Sequence, residues 1–417
     1  MIEQTPTRGI PITKRMVYDA YLKVKGNKGS AGVDNVSISE FEENLSKNLY
    51  LIWNRMSSGT YFPQPVKEVS IPKGDGKMRK LGIPTVRDRI AQEVIKSYIE
   101  PKLESEFLNN SYGYRPLRNT HQAVAAVREN VRKYEWVIDL DIKGFFDNMS
   151  YEKLIKAIER HFQENWVLMY IKRWLKAPIQ QTNGELVERE KGTPQGGVIS
   201  PILANLFLHY AFDKWFVNKY PSLSFVRYAD DIIIHCNSQA EAENIFTEVR
   251  ERLSECELEL NKEKSKIVYC KNGYRTKNYK TIKFDFLGFS FQPRTAKNKS
   301  RGNLFLGFDC AISLKSETKI AMELRKSAFH KWTRTSIEEI AITFNPKIRG
   351  WYNYFCKFRP EKLNRIFGLF NWRLIKWAVM KYKRFKGSMR QAGNWIRRIA
   401  NANPFLFVHW QHGFGGA

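Results

Sequence analysis

Phe225-Val226-Arg227-Tyr228-Ala229-Asp230-Asp231-Ile232-Ile233-Ile234 is the stretch whose reading decides the fold. Two adjacent carboxylates stand between two β-prone apolar runs. That pattern reads as strand, tight turn, strand, with Asp230 and Asp231 at the turn. Side-by-side like charges repel, and packing offers them nothing. A divalent cation would neutralise them, because hard cations such as Mg²⁺ prefer carboxylate oxygens. A solvated hairpin tip accounts for the same residues, since Asp is a common turn residue. On this stretch alone the two readings weigh equally.

A second acidic strand tips the balance. Residues 136–147 read Trp-Val-Ile-Asp-Leu-Asp-Ile-Lys-Gly-Phe-Phe-Asp. Asp139 and Asp141, two residues apart, share one face of a β-prone run. Unpaired buried charge is expensive, so a site explains them better than a core does. Asp147 reads as the start of the next segment. Two acid-bearing strands could hold the two Mg²⁺ ions of in-line nucleotidyl transfer.

The segments around them carry cations and glycines. Gly26 to Asp34 holds three glycines and one lysine, suited either to a phosphate backbone or to a plain helix connection. Residues 66–84 flank Gly74-Asp75-Gly76 with alternating residues, a hairpin signal. Lys73, Lys77, Arg79 and Lys80 cluster there, which fits a triphosphate grip as well as a lysine-protected edge. Tyr114 and Arg115 could stack on and pair with a nucleotide. Gly192 to Pro201 brackets Gln195 with glycine and proline ahead of a long apolar helix over about 201–217. Phe284 to Phe291 reads as one strand with a glycine inside.

The chain has 417 residues, with 69 Lys and Arg against 42 Asp and Glu, net +27. That excess points to a polyanionic partner, nucleic acid first. It is uneven: from Phe291 onward there are 25 basic and 6 acidic residues. Helical, basic and aromatic-rich, that region reads as a small bundle whose cationic face, around 381–390 with Lys381, Lys383 and Arg384, meets nucleic acid. Five scattered cysteines fit a reducing compartment and argue against a structural zinc site. No secretory signal and no long apolar run is present, so a cytoplasmic protein with no membrane partner is expected, nucleoid-associated when acting on DNA.

These residues resemble a known family. Tyr228-Ala229-Asp230-Asp231 matches the Tyr-x-Asp-Asp box of reverse transcriptases. Its companions resemble the bacterial group II intron-encoded reverse transcriptase/maturase branch: Gly29 to Asp34, Ile71-Pro72-Lys73 through Arg79, Leu81 to Thr85, Tyr112 to Pro116, Asp141 to Asp147, Gly192 to Gly197, Lys264-Ser265, Phe286 to Phe289, and Gly350 to Phe355. The Tyr-x-Asp-Asp box alone is weak evidence; the ordered set is specific.

The resemblance implies an α+β right-hand polymerase, with fingers and palm built on antiparallel sheet, followed by an all-α thumb/maturase domain. The expected divisions are 1–60, an N-terminal extension and start of the fingers; 61–135, fingers; 136–292, palm, with a finger segment near 150–190; 293–390, thumb; and 391–417, a short tail. It implies metal binding by Asp141, Asp230, Asp231 and the Ile142 backbone carbonyl, with two Mg²⁺ ions or Mn²⁺ in their place. Lys73, Arg79, Phe146, Gln195 and Lys264 would bind the nucleotide, Phe146 excluding a 2′-hydroxyl. Gly29, Arg115, Phe286, Leu287, Gly288, Lys381, Lys383 and Arg384 would meet primer and template. Asp139 has no obligatory role. The implied partners are an RNA template, a DNA or RNA primer, dNTPs and structured group II intron RNA; the oligomeric state stays open. Nothing like the paired-cysteine endonuclease of many relatives follows residue 400, so DNA cleavage is not expected. Two alternatives stand beside polymerisation: a maturase with polymerisation secondary, and a domesticated relative in defence or repair.

Overall fold

The computed structural model describes residues 9–72, 78–297 and 302–415. The chain divides into two compact units. The first comprises 1–119 and 138–266, the second 120–137 and 267–417.

In the first unit, strands β1 (Val66–Pro72) and β2 (Met78–Ile83) form the expected antiparallel hairpin, with Pro72 opposite Met78. Lys73 and Lys77 lie outside the described residues. The helix Val86–Glu106 follows, capped by Thr85, whose hydroxyl accepts from the Asp88 amide at 3.1 Å. Strand β3 (Trp136–Asp141) enters this unit at Ile138. Short strands β4 (Ile179–Gln180) and β5 (Leu186–Val187) make a hairpin around Asn183-Gly184, β4 lying parallel to β1. The quoted stretch is a hairpin: β6 (Ser224–Tyr228) pairs antiparallel with β7 (Asp231–Cys236), and Tyr228 opposes Asp231 across a two-residue turn. Next to β7 lies β3. Ile232, Ile233 and Ile234 are all fully buried, so β7 is covered on both faces. The long apolar helix runs over 200–219 with a π-helical turn, His209–Asp213, inside it.

In the second unit are β8 (Lys266–Tyr269, entering after its first residue), β9 (Phe284–Phe286), β10 (Phe289–Lys297) and β11 (Leu304–Ile312). The run from Phe284 to Phe291 is therefore not one strand. Leu287 and Gly288 both have positive φ, 48° and 80°, and turn the chain back so that Phe289 opposes Phe286. The expected boundary near residue 293 also moves. Residues 289–297 pair with 304–312 in one antiparallel ladder, so the change of composition marks a hairpin rather than a linker. The region from 293 is thus not all-α. The helix Thr120–Lys133, expected in the fingers, groups with this unit, where Arg128 and Arg359 share Asp309 at 2.6 and 2.9 Å.

Four longer helices, Leu314–Ser327, Ile337–Phe355, Asn364–Lys381 and Met389–Ala402, bury Phe329, Phe344, Phe370, Leu374 and Trp377 among them. The expected short tail is part of this bundle. Phe407, His409 and Trp410 are buried, and the buried Asn371 binds His409 at 2.8 Å, Trp410 at 3.0 Å and the Phe414 carbonyl at 2.8 Å. Burial pushes the His409 imidazole down to about 3. No helix among the described residues is long and apolar enough to cross a membrane.

Candidate active site

The acidic turn and the second acidic strand belong to one site in the first unit. Asp141 ends β3, and Asp230 and Asp231 sit at the β6–β7 turn. Desolvation raises the Asp230 carboxyl, and the Asp141 charge adds to this; Arg79 and Lys264 pull the other way. Asp231 is pushed up to about 7 by desolvation, then by the charges of Asp230 and Asp141. Its side chain is nonetheless exposed at the edge of the cleft, so the crowding of like charge is the effect a cation would relieve.

Lys264 lies 3.2 Å from Asp141 Oδ2, and the Asp141 amide donates to Ser265 Oγ at 3.1 Å. Ile142 bridges to Leu260 as a non-hydrogen-bonded antiparallel pair, because the bonds run from Lys143 N to Glu259 O and from Asn261 N to Asp141 O. The Ile142 carbonyl therefore points away from that segment. Asp139 is 3.8 Å from Lys266. No three His, Cys, Asp or Glu groups among the described residues are gathered tightly enough to hold one ion. The donor set available to a cation is two carboxylates, a backbone carbonyl and water, all hard oxygens, which suits Mg²⁺.

The nucleotide-side candidates are joined in a chain. Arg79 on β2 donates from Nε to Gln195 Oε1 at 2.6 Å. Gln195 Nε2 donates to Asp147 at 3.0 and 3.2 Å. An ionised carboxylate only accepts, so Asp147 fixes the amide with its oxygen toward Arg79. The loop is held from behind, since Gln92 Oε1 accepts from the Val198 amide at 2.8 Å. Gly82 N donates to Gln195 O at 3.1 Å, and a Cβ on Gly196, whose φ is +136°, would meet Gly82 O at 2.6 Å. Phe146 is buried and packs edge-on against Tyr114, centroids 6.4 Å apart. Burial raises the Tyr114 hydroxyl, and the Asp230 charge raises it further. A roomier cavity of about 700 Å³, lined by Phe62, Met169 and Arg173, contains none of these carboxylates.

One expected nucleic-acid contact is structural instead. Arg115 is 8% exposed; its guanidinium is forked onto Glu104 at 2.7–3.0 Å and donates to the Leu108 and Ser111 carbonyls. With its donors spent inside the fold, it has none to offer a template. A Cβ on Gly29 would lie 1.8 Å from Arg89 Nη1, the end of a side chain that donates to the Ser30 carbonyl at 2.7 Å. That loop wraps an arginine of its own chain. Phe286, Leu287 and Gly288 lie in the second unit, where the Tyr354 hydroxyl donates to the Leu287 carbonyl at 2.9 Å. Also in that unit, Lys381 is turned inward, its ammonium on the Thr335 carbonyl at 2.8 Å, while Lys383 and Arg384 are exposed.

The sequence reading passed over two features. One is Asp147 as the partner of Gln195. The other is Arg227, fully buried, whose guanidinium forks onto the equally buried Asp213 at 2.6 and 2.7 Å. Burial would raise the Asp213 carboxyl, yet the Arg227 charge holds it below its ordinary value. Arg227 stood as a lone charge in an apolar run, and a charge so placed is a signal to look for a buried partner.

A family model described as "Reverse transcriptase (RNA-dependent DNA polymerase)" matches residues 71–291, and one described as "Group II intron, maturase-specific domain" matches 318–395. Protein YkfC of Escherichia coli (strain K12) is 32% identical over 280 residues, 58% of this chain and 73% of its own. Group II intron-encoded protein LtrA of Lactococcus lactis subsp. cremoris is 36% identical over 196 residues, 46% of this chain and 32% of its own, so the match spans about a third of that relative. Among solved structures, telomerase from Candida albicans aligns over 89% of this chain and 70% of its own, with 13% identity and a TM-score of 0.47.

Proposed function

The chain belongs to the reverse transcriptase family, in its group II intron-encoded branch, and we propose that it extends a primer with dNTPs on an RNA template. The observation that carries this reading is the meeting of Asp141, Asp230 and Asp231 with the Arg79–Gln195–Asp147 chain on one side and Lys264 on the other.

Each residue has a task in that reading. Asp141, Asp230 and the Ile142 carbonyl hold the divalent cations, with Asp231 adding negative charge beside them. Bound there, Mg²⁺ supplies Lewis acidity at the attacking 3′-hydroxyl and at the triphosphate. Arg79 exchanges Gln195 for phosphate oxygens when the nucleotide enters, because a charge-assisted bond to phosphate is stronger than one to a neutral amide. Gln195, kept in one orientation by Asp147, lines the nucleotide pocket. Lys264, now paired with Asp141, would leave that carboxylate free for a cation and screen the charge on the incoming triphosphate. Phe146, backed by Tyr114, closes the space a ribose 2′-hydroxyl would need.

The second unit carries the maturase-specific domain, and its exposed Lys383 and Arg384 suit the phosphates of structured intron RNA. Splicing of the flanking RNA with and without the protein tests that role. The polymerase role is tested by primer extension on an RNA template with Mg²⁺, comparing wild type with Asp230→Ala. The expected result is extension by the wild type only; equal product from both proteins would sink the palm assignment.

A further inference from the structure

The buried ion pair under the acidic turn bears directly on catalysis if the chain polymerises as proposed above. The turn is an unusual piece of backbone. Ala229, its first residue, has φ of +56°, a left-handed conformation that a side chain disfavours. Something around it must hold it there. Arg227 Nη1 donates to the Ala229 carbonyl at 3.1 Å and to Asn205 Oδ1 at 3.0 Å, while Nε and Nη2 fork onto Asp213. Asn205 Nδ2 in turn donates to the Gly113 carbonyl at 2.7 Å, and Gly113 packs on the Ala229 amide so closely that a Cβ there would lie 2.4 Å away. The Arg227 backbone is clamped as well, by Asn110 O and Tyr112 N at 2.8 Å each.

Asp213 closes the π-helical turn His209–Asp213 in an otherwise α-helical run. A π turn inserts a residue and sacrifices helix regularity, and such turns frequently mark functional sites. Here the turn ends on a carboxylate with no exposure at all, set against a guanidinium with none. A buried pair is poor value for stability alone, since apolar residues of similar volume do as well or better.

We propose that Arg227, seated on Asp213, is a positioning residue: it fixes the Ala229 carbonyl and thereby the aim of the Asp230 and Asp231 carboxylates during nucleotidyl transfer. It acts through the turn and touches no substrate. The guanidinium suits this task better than an ammonium, because its rigid fork can satisfy a carboxylate, an amide oxygen and a backbone carbonyl together.

The experiment uses the full chain in primer extension on an RNA template, alongside thermal unfolding, with wild type and Asp230→Ala as reference points. In the double variant Arg227→Met with Asp213→Leu, both buried charges are gone. Tm is expected to fall only modestly, because the two charges leave together while Asn205 Oδ1 and the Ala229 carbonyl lose their donor. kcat is expected to fall by about 10²-fold with the dNTP KM within about threefold, the mark of misplaced reacting groups. Arg227→Lys keeps the charge pair but loses the fork; it should fold like the wild type and lose kcat by about tenfold. Wild-type kcat in the folded double variant overturns the proposal, and so does wild-type kcat in Arg227→Lys should the double variant fail to fold. A wild-type protein that extends no primer strikes instead at the polymerase reading on which the proposal rests.

Discussion

Gly113→Ala adds one methyl group beneath the catalytic turn, and the structure sets the size of its effect. The new Cβ would lie 2.4 Å from Ala229 N, 3.0 Å from Tyr228 C and 3.2 Å from Ala229 Cα, all backbone atoms. Ordinary contact begins at 3.4 Å, so the turn or Gly113 must retreat by about 1 Å. Gly113 is not among the residues with positive φ, so alanine is sterically acceptable to its own backbone and the contact is isolated. Neither side retreats freely, since Asn205 pins the Gly113 carbonyl at 2.7 Å and Arg227 pins that of Ala229 at 3.1 Å. Overpacking of this kind costs about 1–3 kcal/mol in stability. The displacement passes to Asp230, the next residue, and a shift near 1 Å costs about 10²-fold in rate. Single-turnover incorporation of one dNTP on an RNA template, with Tm measured on the same preparation, reads both quantities. A variant that loses stability but keeps the wild-type rate would refute the inference that this contact aims the carboxylate. Wild-type rate with wild-type Tm would refute the geometry itself.

Asp231 supplies a pH test. Its carboxyl is raised to about 7 from an unfolded value near 4, so the folded state binds the extra proton and loses stability as pH climbs between those values. Without metal, Asp231→Asn should therefore raise Tm more at about pH 8 than at about pH 5, and Mg²⁺ should shrink the difference; a gain that is equal at both pH values contradicts this. Phe146→Ala should ease ribonucleotide incorporation while costing about 3–5 kcal/mol of stability, because the ring is buried against Tyr114 and Phe145. Unchanged ribonucleotide discrimination in the folded variant removes it from the gate role. Arg115→Ala should destabilise by about 1–3 kcal/mol, because the Leu108 and Ser111 carbonyls lose their donor, yet leave the salt dependence of RNA affinity as in the wild type. A shallower salt slope would return Arg115 to the nucleic-acid surface.

Much of the fold was legible because local chemistry dictated it. Alternating apolar residues around Gly74-Asp75-Gly76, and the apolar runs either side of Asp230-Asp231, specify hairpins whatever surrounds them. The acids Asp141, Asp230 and Asp231 stood out because carboxylates on β-prone apolar runs are costly unless a site rewards them. Where one sequence pattern supports two structures, the reading went astray. A glycine inside an aromatic run fits a strand interior or a turn, and only the pairing of Phe286 with Phe289 chose the turn. An arginine beside a glycine-containing loop fits phosphate binding or internal clamping, and only Glu104 beside Arg115 chose the clamp.

The sequence by itself determined the two acidic strands, the cationic hairpin, the glutamine loop and the basic helical region, because each is written in residues adjacent along the chain. Only the tertiary structure decided which charges meet. Asp213 and Arg227 are paired, Gln195 is turned by Asp147, and Asn371 draws the C-terminal residues into the bundle. Those partners are distant in sequence, and the strength of an interaction between charges depends on their distance and burial in the fold, which no local pattern encodes.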